Sequence, residues 1–159
     1  SILEVDVVPV ELPSLPIEPV MTLLMVEAAT AFDEFVRDGG LDELMSQEAV
    51  SWPTQLRAAR FVSGVDYLQA QRLQSLIREE MTSLMTRIDV LATPTLHLRA
   101  MRLGNAAGFP AVVLPLTRAG RPVDSVSLVG RADFEHEPLA LAAALESLTG
   151  PIEAPPLLP

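Results

Sequence analysis

Two histidines are the first residues whose type could support catalysis. His97 or His136 could join a serine and Asp89 in a Ser-His-Asp arrangement, in which the imidazole takes the proton of the serine hydroxyl. The serines of the chain, however, lie in no Gly-rich loop and no Gly-x-Ser-x-Gly turn, where an exposed nucleophile is usually held. Both histidines are therefore interpreted as ordinary surface residues in loops, and no catalytic residue is predicted in this chain.

The run Glu135-His136-Glu137 has the residue types of a metal site. Three successive side chains rarely converge on one ion, and acidic residues just before a helix are favoured by the helix dipole. The chain contains no cysteine, which excludes disulfides, thiolate metal sites and cysteine nucleophiles. No metal ion is predicted.

Two threonines are the candidates for ligand binding that the strand pattern itself indicates. Thr93 and Thr95 follow a short apolar run at what would be the C-terminal end of a strand, the place where open α/β sheets bind their ligands. The spacing leaves two interpretations open for them, a pocket wall and simple hydrogen bonding within a loop. Gly108, beside Pro110, predicts a turn into a buried strand, with a place at the mouth of a cleft as the alternative.

The charge of the chain excludes several partners. Twenty-one acidic residues oppose eleven basic residues, all of them arginine, and the formal net charge is −10. Such a chain binds phosphate backbones and anionic lipid poorly, so nucleic acid and membrane surfaces are not expected partners. The apolar runs are shorter than a membrane-spanning helix needs, and a cytoplasmic location is the default expectation. Because the sequence begins at Ser1 and not at Met, we expect the true N-terminus to lie further upstream.

The first half of the chain is predicted to be mainly helical. Residues 3–12 alternate imperfectly and predict a short strand, after which a proline series leads into a helix over 20–37 that Gly39 and Gly40 end. Residues 42–45 and 54–60 predict short helical turns. Ser63 followed by Asp66 resembles a capping box at the start of a long helix that continues to about residue 87.

The second half is predicted to contain short strands. The runs 90–93, 111–116 and 125–129 are apolar, rich in β-branched residues and bounded by Pro or Gly, and the last two flank a turn at 118–122. A final helix over 138–149 precedes a Pro-rich tail at 151–159. The alternation of helices and strands predicts the α/β class, and the length of 159 residues fits a single domain over 1–159.

Four local motifs, in order, resemble the C-terminal region of the amidase signature hydrolases. They are GVDYLQA with Arg72 on the long helix, DVLATPT from Asp89, NAAGFPA from Asn105, and GRPV from Gly120 leading to LVGR. The departures are an apparent extra residue near Asp124, and Ser127 where many members have Gln. They leave the register of the hairpin open, and the likeness extends loosely over nearly the whole chain.

The resemblance implies the C-terminal part of a mixed, twisted sheet with flanking helices. It also implies amide hydrolysis by two serines and a lysine, carried by a Gly/Ser-rich segment and a strand that this chain lacks. A serine hydroxyl needs an adjacent base and its oxyanion needs fixed N–H donors, so this chain is expected to be inactive alone. The family's mechanism requires no cofactor.

The resemblance assigns Thr93, Thr95 and Asn105 to the support and walls of a substrate cleft. The expected partners are the upstream half of the same enzyme and a small-molecule amide, and an apolar surface left uncovered would favour a homodimer. The alternative from another class is a stand-alone, non-enzymatic binding or scaffold domain derived from an amidase.

Overall fold

A computed structural model describes residues 4–116 and 124–149 of the chain. Its elements are α1 (Glu18–Ala31), α2 (Asp33–Arg37), a 3₁₀ turn (Gly40–Glu43), α3 (Trp52–Ala59), α4 (Gly64–Met85), β1 (Leu91–Pro94), α5 (Leu98–Ala107), β2 (Ala111–Leu116), β3 (Asp124–Val129) and α6 (His136–Thr149). The predicted turn at 118–122 and the Pro-rich tail at 151–159 lie outside the described residues.

The chain forms two compact units, one of Leu15–Leu76 and one from the segments before and after it. Helix α4 begins in the first of these and ends in the second. The single domain over 1–159 stays a prediction.

The helical unit is built on the packing of α1 against α3. Its core contains Ala29 from α1, Leu41 from the 3₁₀ turn, and Leu56 and Ala59 from α3, all buried. Burial of these apolar side chains stabilises the unit by about 25 cal/mol for each Å² removed from water. The side chains are small or unbranched at the β-carbon, and the two helices can therefore approach closely.

Helix α1 ends earlier than the sequence predicts. The prediction of a continuous helix over 20–37 is wrong at Phe32, whose φ of −102° and ψ of 23° interrupt the helical geometry before α2 begins.

Asp33, at the start of α2, forms ion pairs with two arginines. Its carboxylate accepts hydrogen bonds from Arg37 Nε at 2.6 Å and from Arg60 Nη1 at 2.6 Å. These hydrogen bonds, from Arg37 first and Arg60 second, lower the pKa of the Asp33 carboxyl. The ion pairs join α2 to the end of α3, and an acidic residue in the first turn also suits the dipole of α2.

The predicted cap of α4 is confirmed in a modified form. The Asp66 amide donates to Ser63 Oγ at 3.1 Å, as in a capping box. The hydroxyl in turn donates to Asp66 Oδ2 at 2.7 Å, so the carboxylate pairs with the side chain of Ser63. Further along α4, Ile77 and Met81 are completely buried.

The second unit contains a three-stranded antiparallel sheet in the order β1-β3-β2. β3 is central, with Val129 opposite Leu91 of β1 and opposite Ala111 of β2. The α/β class is confirmed, and every pairing among the described strands is antiparallel. The predicted hairpin of the second and third strands is also confirmed, over Ala111–Leu116 and Asp124–Val129.

Two helices pack on this sheet. α6 packs against β2 and β3. Gly104 of α5 faces Val129, where an added β-carbon would lie 3.5 Å from Val129 Cγ1. α5 was not predicted, because its buried face is made of Ala, Gly and a single Leu, and small side chains of this kind give the segment little overall hydrophobicity.

The strand predicted at residues 3–12 is wrong over the described residues 4–12, which form no regular secondary structure. A β-strand is stable only when its backbone groups pair with a neighbouring strand. Val7 is 91% exposed, so its side chain has no sheet or helix to cover it. Within the described part of this chain, the alternating apolar residues of this segment pair with no strand.

Helix α5 ends in a Schellman motif that requires a glycine. Gly108 has φ of 74°, its amide donates to Asn105 O at 3.1 Å, and the Phe109 amide donates to Gly104 O at 3.0 Å. This confirms the turn that the sequence predicts at Gly108.

We expect Gly108→Ala to destabilise the chain by about 1–2 kcal/mol, because an L-residue with a side chain pays a steric cost in the left-handed region. Thermal or urea unfolding followed by circular dichroism measures the change. Gly64→Ala is the matched control, since Gly64 begins α4 with open space around its added β-carbon. An equal effect of the two substitutions would contradict the assignment.

Candidate functional site

Alternate residues of β3, of β1 and of the position just after β1 place four hydroxyl side chains on one face of the sheet. We call this set, Thr93, Thr95, Ser125 and Ser127, the hydroxyl face. Thr93 lies opposite Ser127 in the register of the two strands. The Ser127 hydroxyl donates to Thr95 Oγ1 at 3.2 Å, which places these side chains on the same side. All four side chains are half-buried.

The end of β1 is held by backbone hydrogen bonds on both sides of Thr95. The Thr95 amide donates to Ser125 O at 3.2 Å, and the His97 amide donates to Pro94 O at 2.9 Å to close a turn. His97 Nδ1 then accepts the amide of Ala100 at 3.2 Å and caps α5. Thr95 is therefore fixed between a paired strand and a capped helix, and its hydroxyl has a defined direction.

The predicted cleft residues are only partly brought together. Thr93 and Thr95 belong to the hydroxyl face, whereas Asn105 lies in the last turn of α5 with an exposed side chain. Ser125 and Ser127 complete the face and were not predicted as site residues. The signal that could have found them is the spacing of two in both Thr93-x-Thr95 and Ser125-x-Ser127, which on paired strands puts four hydroxyls on one side. The assignment of Thr93, Thr95 and Asn105 to substrate stays a prediction.

The hydroxyl face can bind polar groups but cannot transfer protons at neutral pH. Serine and threonine hydroxyls each donate one hydrogen bond and accept up to two, which suits the N–H and C=O of an amide. Among the described residues, none of the four hydroxyls forms a hydrogen bond with a carboxylate, a histidine or a basic side chain. A hydroxyl without an adjacent base is a weak nucleophile.

The free edge of β1 adjoins this face. Because the Thr95 amide points to β3, the residues that alternate with it, Ala92 and Pro94, turn their backbone groups to the outer edge. β1 pairs only with β3 among the described strands. Pro94 has no N–H, so that position leaves no unpaired donor at the edge.

A cleft of about 210 Å³ lies at the end of the sheet away from Thr95. Its walls are mainly apolar, and its lining residues are Thr82, Met85, Thr86, Phe109, Arg131, Ala132 and Phe134. Arg131 follows the end of β3 at which Val129 pairs with Leu91. Thr95 is four residues after Leu91 in the sequence, which corresponds to about 13 Å along the sheet at the usual rise of a strand.

The positive charge of Arg131 in this cleft is balanced by neighbouring carboxylates. Its Nε donates to Glu137 Oε2 at 3.1 Å, its Nη2 contacts Glu137 Oε1, and Asp89 Oδ1 lies 3.8 Å from Nη2. The guanidinium also lies over the ring of Phe134, 4.4 Å from the ring centre. Hydrogen bonding to Glu137 raises the pKa of Arg131, which therefore stays charged at neutral pH. With two carboxylates around it, Arg131 ties α6 and the start of β1 to the end of β3.

Within the described residues, the contacts of the two histidines are with a helix end and an aromatic ring. His97 is committed to capping α5, and the ring of His136 lies 5.9 Å from that of Phe134. The described residues contain no group of three or more His, Cys, Asp or Glu side chains that could hold a metal ion. In the same part of the chain, no helix is long and apolar enough to cross a membrane.

Comparison with known proteins reveals relatives that are named as an amidase and as amidotransferase A subunits. The chain is 30% identical to an amidase of Pseudomonas putida over 117 residues, and 33% identical over 101 residues to the A subunit of the glutamyl-tRNA(Gln) amidotransferase of Myxococcus xanthus. These matches cover 52% and 50% of this chain but 25% and 21% of the relatives, so the chain spans about a quarter or less of their length. No family model matches the chain.

Solved structures show the same fold. A crystal structure of an amidase superposes with a TM-score of 0.67 over 86% of this chain and 37% of its own, at 21% identity. An inhibitor-bound vestigial protein complex, which reveals the evolutionary origins of an s-triazine catabolic enzyme, superposes with a TM-score of 0.68 over 87% of this chain and 35% of its own, at 17% identity. The fold expected from the four motifs is confirmed.

We expect Arg131→Lys to lower the melting temperature more than Arg57→Lys. A lysine ammonium can neither form two parallel hydrogen bonds to Glu137 nor lie flat over Phe134. Arg57 pairs with Asp42, whose side chain is 80% exposed, and pairs of that kind contribute little to stability. Differential scanning calorimetry of the two variants measures the difference, and a larger effect at Arg57 would contradict the role of Arg131.

Proposed function

We propose that this chain, which is related in sequence and fold to amidase signature proteins, forms the C-terminal part of an amidase. In this proposal it completes the sheet and one wall of the substrate cleft, and the catalytic groups belong to the rest of the enzyme. The hydroxyl face carries the proposal, because it presents several fixed hydrogen-bonding groups and no base. Such a surface can orient an amide for attack without taking part in proton transfer.

Residue types support this division of roles. The family's mechanism uses a lysine as base, and all the basic residues of this chain are arginine. Arginine keeps its proton at any pH at which proteins function, so it cannot replace that base. The amide-cleaving serine and its oxyanion donors would likewise come from outside the chain.

The free edge of β1 is the position at which we propose that the rest of the enzyme binds. An edge strand with unpaired backbone groups can accept a further strand, and Ala92 offers both its N–H and its C=O in that direction. A strand added there would lie directly beside Thr93 and Thr95. The hydroxyl face would then become the wall of a cleft between the two parts.

We expect the purified chain to hydrolyse small aliphatic and aromatic amides no faster than buffer does. The physical reason is that a neutral hydroxyl lacks both an activating base and oxyanion donors in this chain. Ammonia release at several pH values measures the rate, with an intact amidase as positive control. Hydrolysis that saturates with substrate and disappears on unfolding would contradict the proposal.

Coexpression with a polypeptide that contains the Gly/Ser-rich segment and the lysine strand should give amidase activity. In that complex Thr95→Val and Asn105→Ala should each raise KM or change substrate preference, because each removes a positioning hydrogen bond. Such a bond is worth about 1–3 kcal/mol, roughly a 5- to 150-fold change in kcat/KM. Steady-state kinetics on folded variants measures both constants.

Thr30→Val is the matched control for Thr95→Val. Its hydroxyl is exposed on α1 and donates only to Val26 O within the same helix, so we expect unchanged kinetics. A loss of turnover in Thr95→Val as complete as that of a nucleophile variant would show that this chain supplies a catalytic group. Wild-type kinetics in both Thr95→Val and Asn105→Ala would remove the assignment of the cleft wall.

A further inference from the structure

Four large apolar side chains are exposed between the 3₁₀ turn and the first residue of α3. In residues 44–52, which we call the 44–52 loop, the exposed fractions are 40% for Leu44, 104% for Met45, 79% for Val50 and 53% for Trp52. Single exposed apolar residues are normal on protein surfaces, whereas several close together are typical of interaction sites.

The backbone of the loop is held in place although its apolar side chains point outward. Gln47 Nε2 donates to Leu41 O at 2.7 Å and to Leu44 O at 2.9 Å, and Gln47 Oε1 accepts from Arg57 Nη1 at 3.0 Å. The second half is closed by hydrogen bonds from Ser51 Oγ to Glu48 O at 2.6 Å and from Gln55 Nε2 to Val50 O at 2.5 Å. A partner that binds an ordered loop loses less conformational entropy than one that must order it.

The charges around the loop indicate which charge a binding partner should carry. Asp42, Glu43 and Glu48 are exposed within and beside it. Arg57 is engaged with Asp42 at 2.5 Å, so the nearby positive charge is compensated. A second copy of this chain, with a net charge of −10, would bring charge of the same sign. Charge complementarity therefore favours a cationic occupant.

We propose that the 44–52 loop is a docking site for a basic, amphipathic segment of another protein. Apolar side chains of the partner pack on Met45, Val50 and Trp52, and its Lys or Arg side chains pair with Glu43 and Glu48. This interaction goes beyond the amidase role, and none of these residues belongs to the hydroxyl face.

Trp52 gives a direct measurement, since it is the only tryptophan of the chain. The full chain is titrated with three synthetic peptides, one with Lys and Leu on opposite helix faces, one with Glu in place of Lys, and one with Ser in place of Leu. We expect saturable binding and a blue shift of Trp52 emission with the first peptide alone. Raising the salt concentration should weaken this binding.

Two variants distinguish specific binding at the loop from general electrostatic attraction to an acidic chain. Met45→Ser with Glu43→Gln and Glu48→Gln should weaken binding of the Lys/Leu peptide about tenfold or more, as is usual when anchors and charged partners are removed together. Leu68→Ser with Glu79→Gln and Glu80→Gln is the control. It also removes one exposed apolar residue and two exposed carboxylates, but from α4, and should bind as the wild type does.

Three results would overturn the proposal. They are an equal response to all three peptides, an equal loss of affinity in the loop variant and the α4 control, and a concentration-dependent shift of Trp52 emission without any peptide. The last result would show that a second copy of the chain occupies the loop. Circular dichroism of each variant shows that it is folded before the comparison is made.

Discussion

The pairing of β3 with β1 on one side and β2 on the other is the interaction on which the second unit depends. Val129 lies opposite Leu91 and Ala111, and Val129 and Leu91 are buried there. The register that buries Val129 also turns Ser127 to the same face as Thr93 and Thr95. A slip by one residue would move Leu128 to that face and turn the serines to the opposite face. Core packing therefore determines the position of the hydroxyl face.

The sequence predicted the strands of this sheet better than the helices that cover it. Ala111–Leu116 is an apolar run that follows Pro110 and contains Val112 and Val113, and its prediction needed only local information. Helix α5 was missed because its buried surface is made of small residues that fit against Val129, a contact between segments far apart in the sequence. The strand predicted over residues 3–12 was wrong for the opposite reason. Its alternation is clear, but no described strand pairs with it.

The candidate site could be predicted only in part. Thr93 and Thr95 were found because they end an apolar run, and that signal is local. Ser127 was noted only as a departure from the family pattern and as one of the serines outside any nucleophile motif, since nothing in its neighbourhood shows that it will lie beside Thr95, 32 residues earlier. Asn105 was assigned to the cleft only by the family resemblance, and it lies exposed in the last turn of α5. A site assembled across strands follows from pairing, which single-sequence periodicity does not contain.

The central claim is that this chain positions an amide while the rest of the enzyme cleaves it. The most direct test is to treat the active complex of the two with a serine-directed fluorophosphonate and to locate the adduct by mass spectrometry. We predict a stoichiometric adduct on a serine of the partner polypeptide and none on the serines of this chain. A stoichiometric adduct on Ser125, Ser127 or any other serine of this chain, absent after unfolding, would contradict the claim.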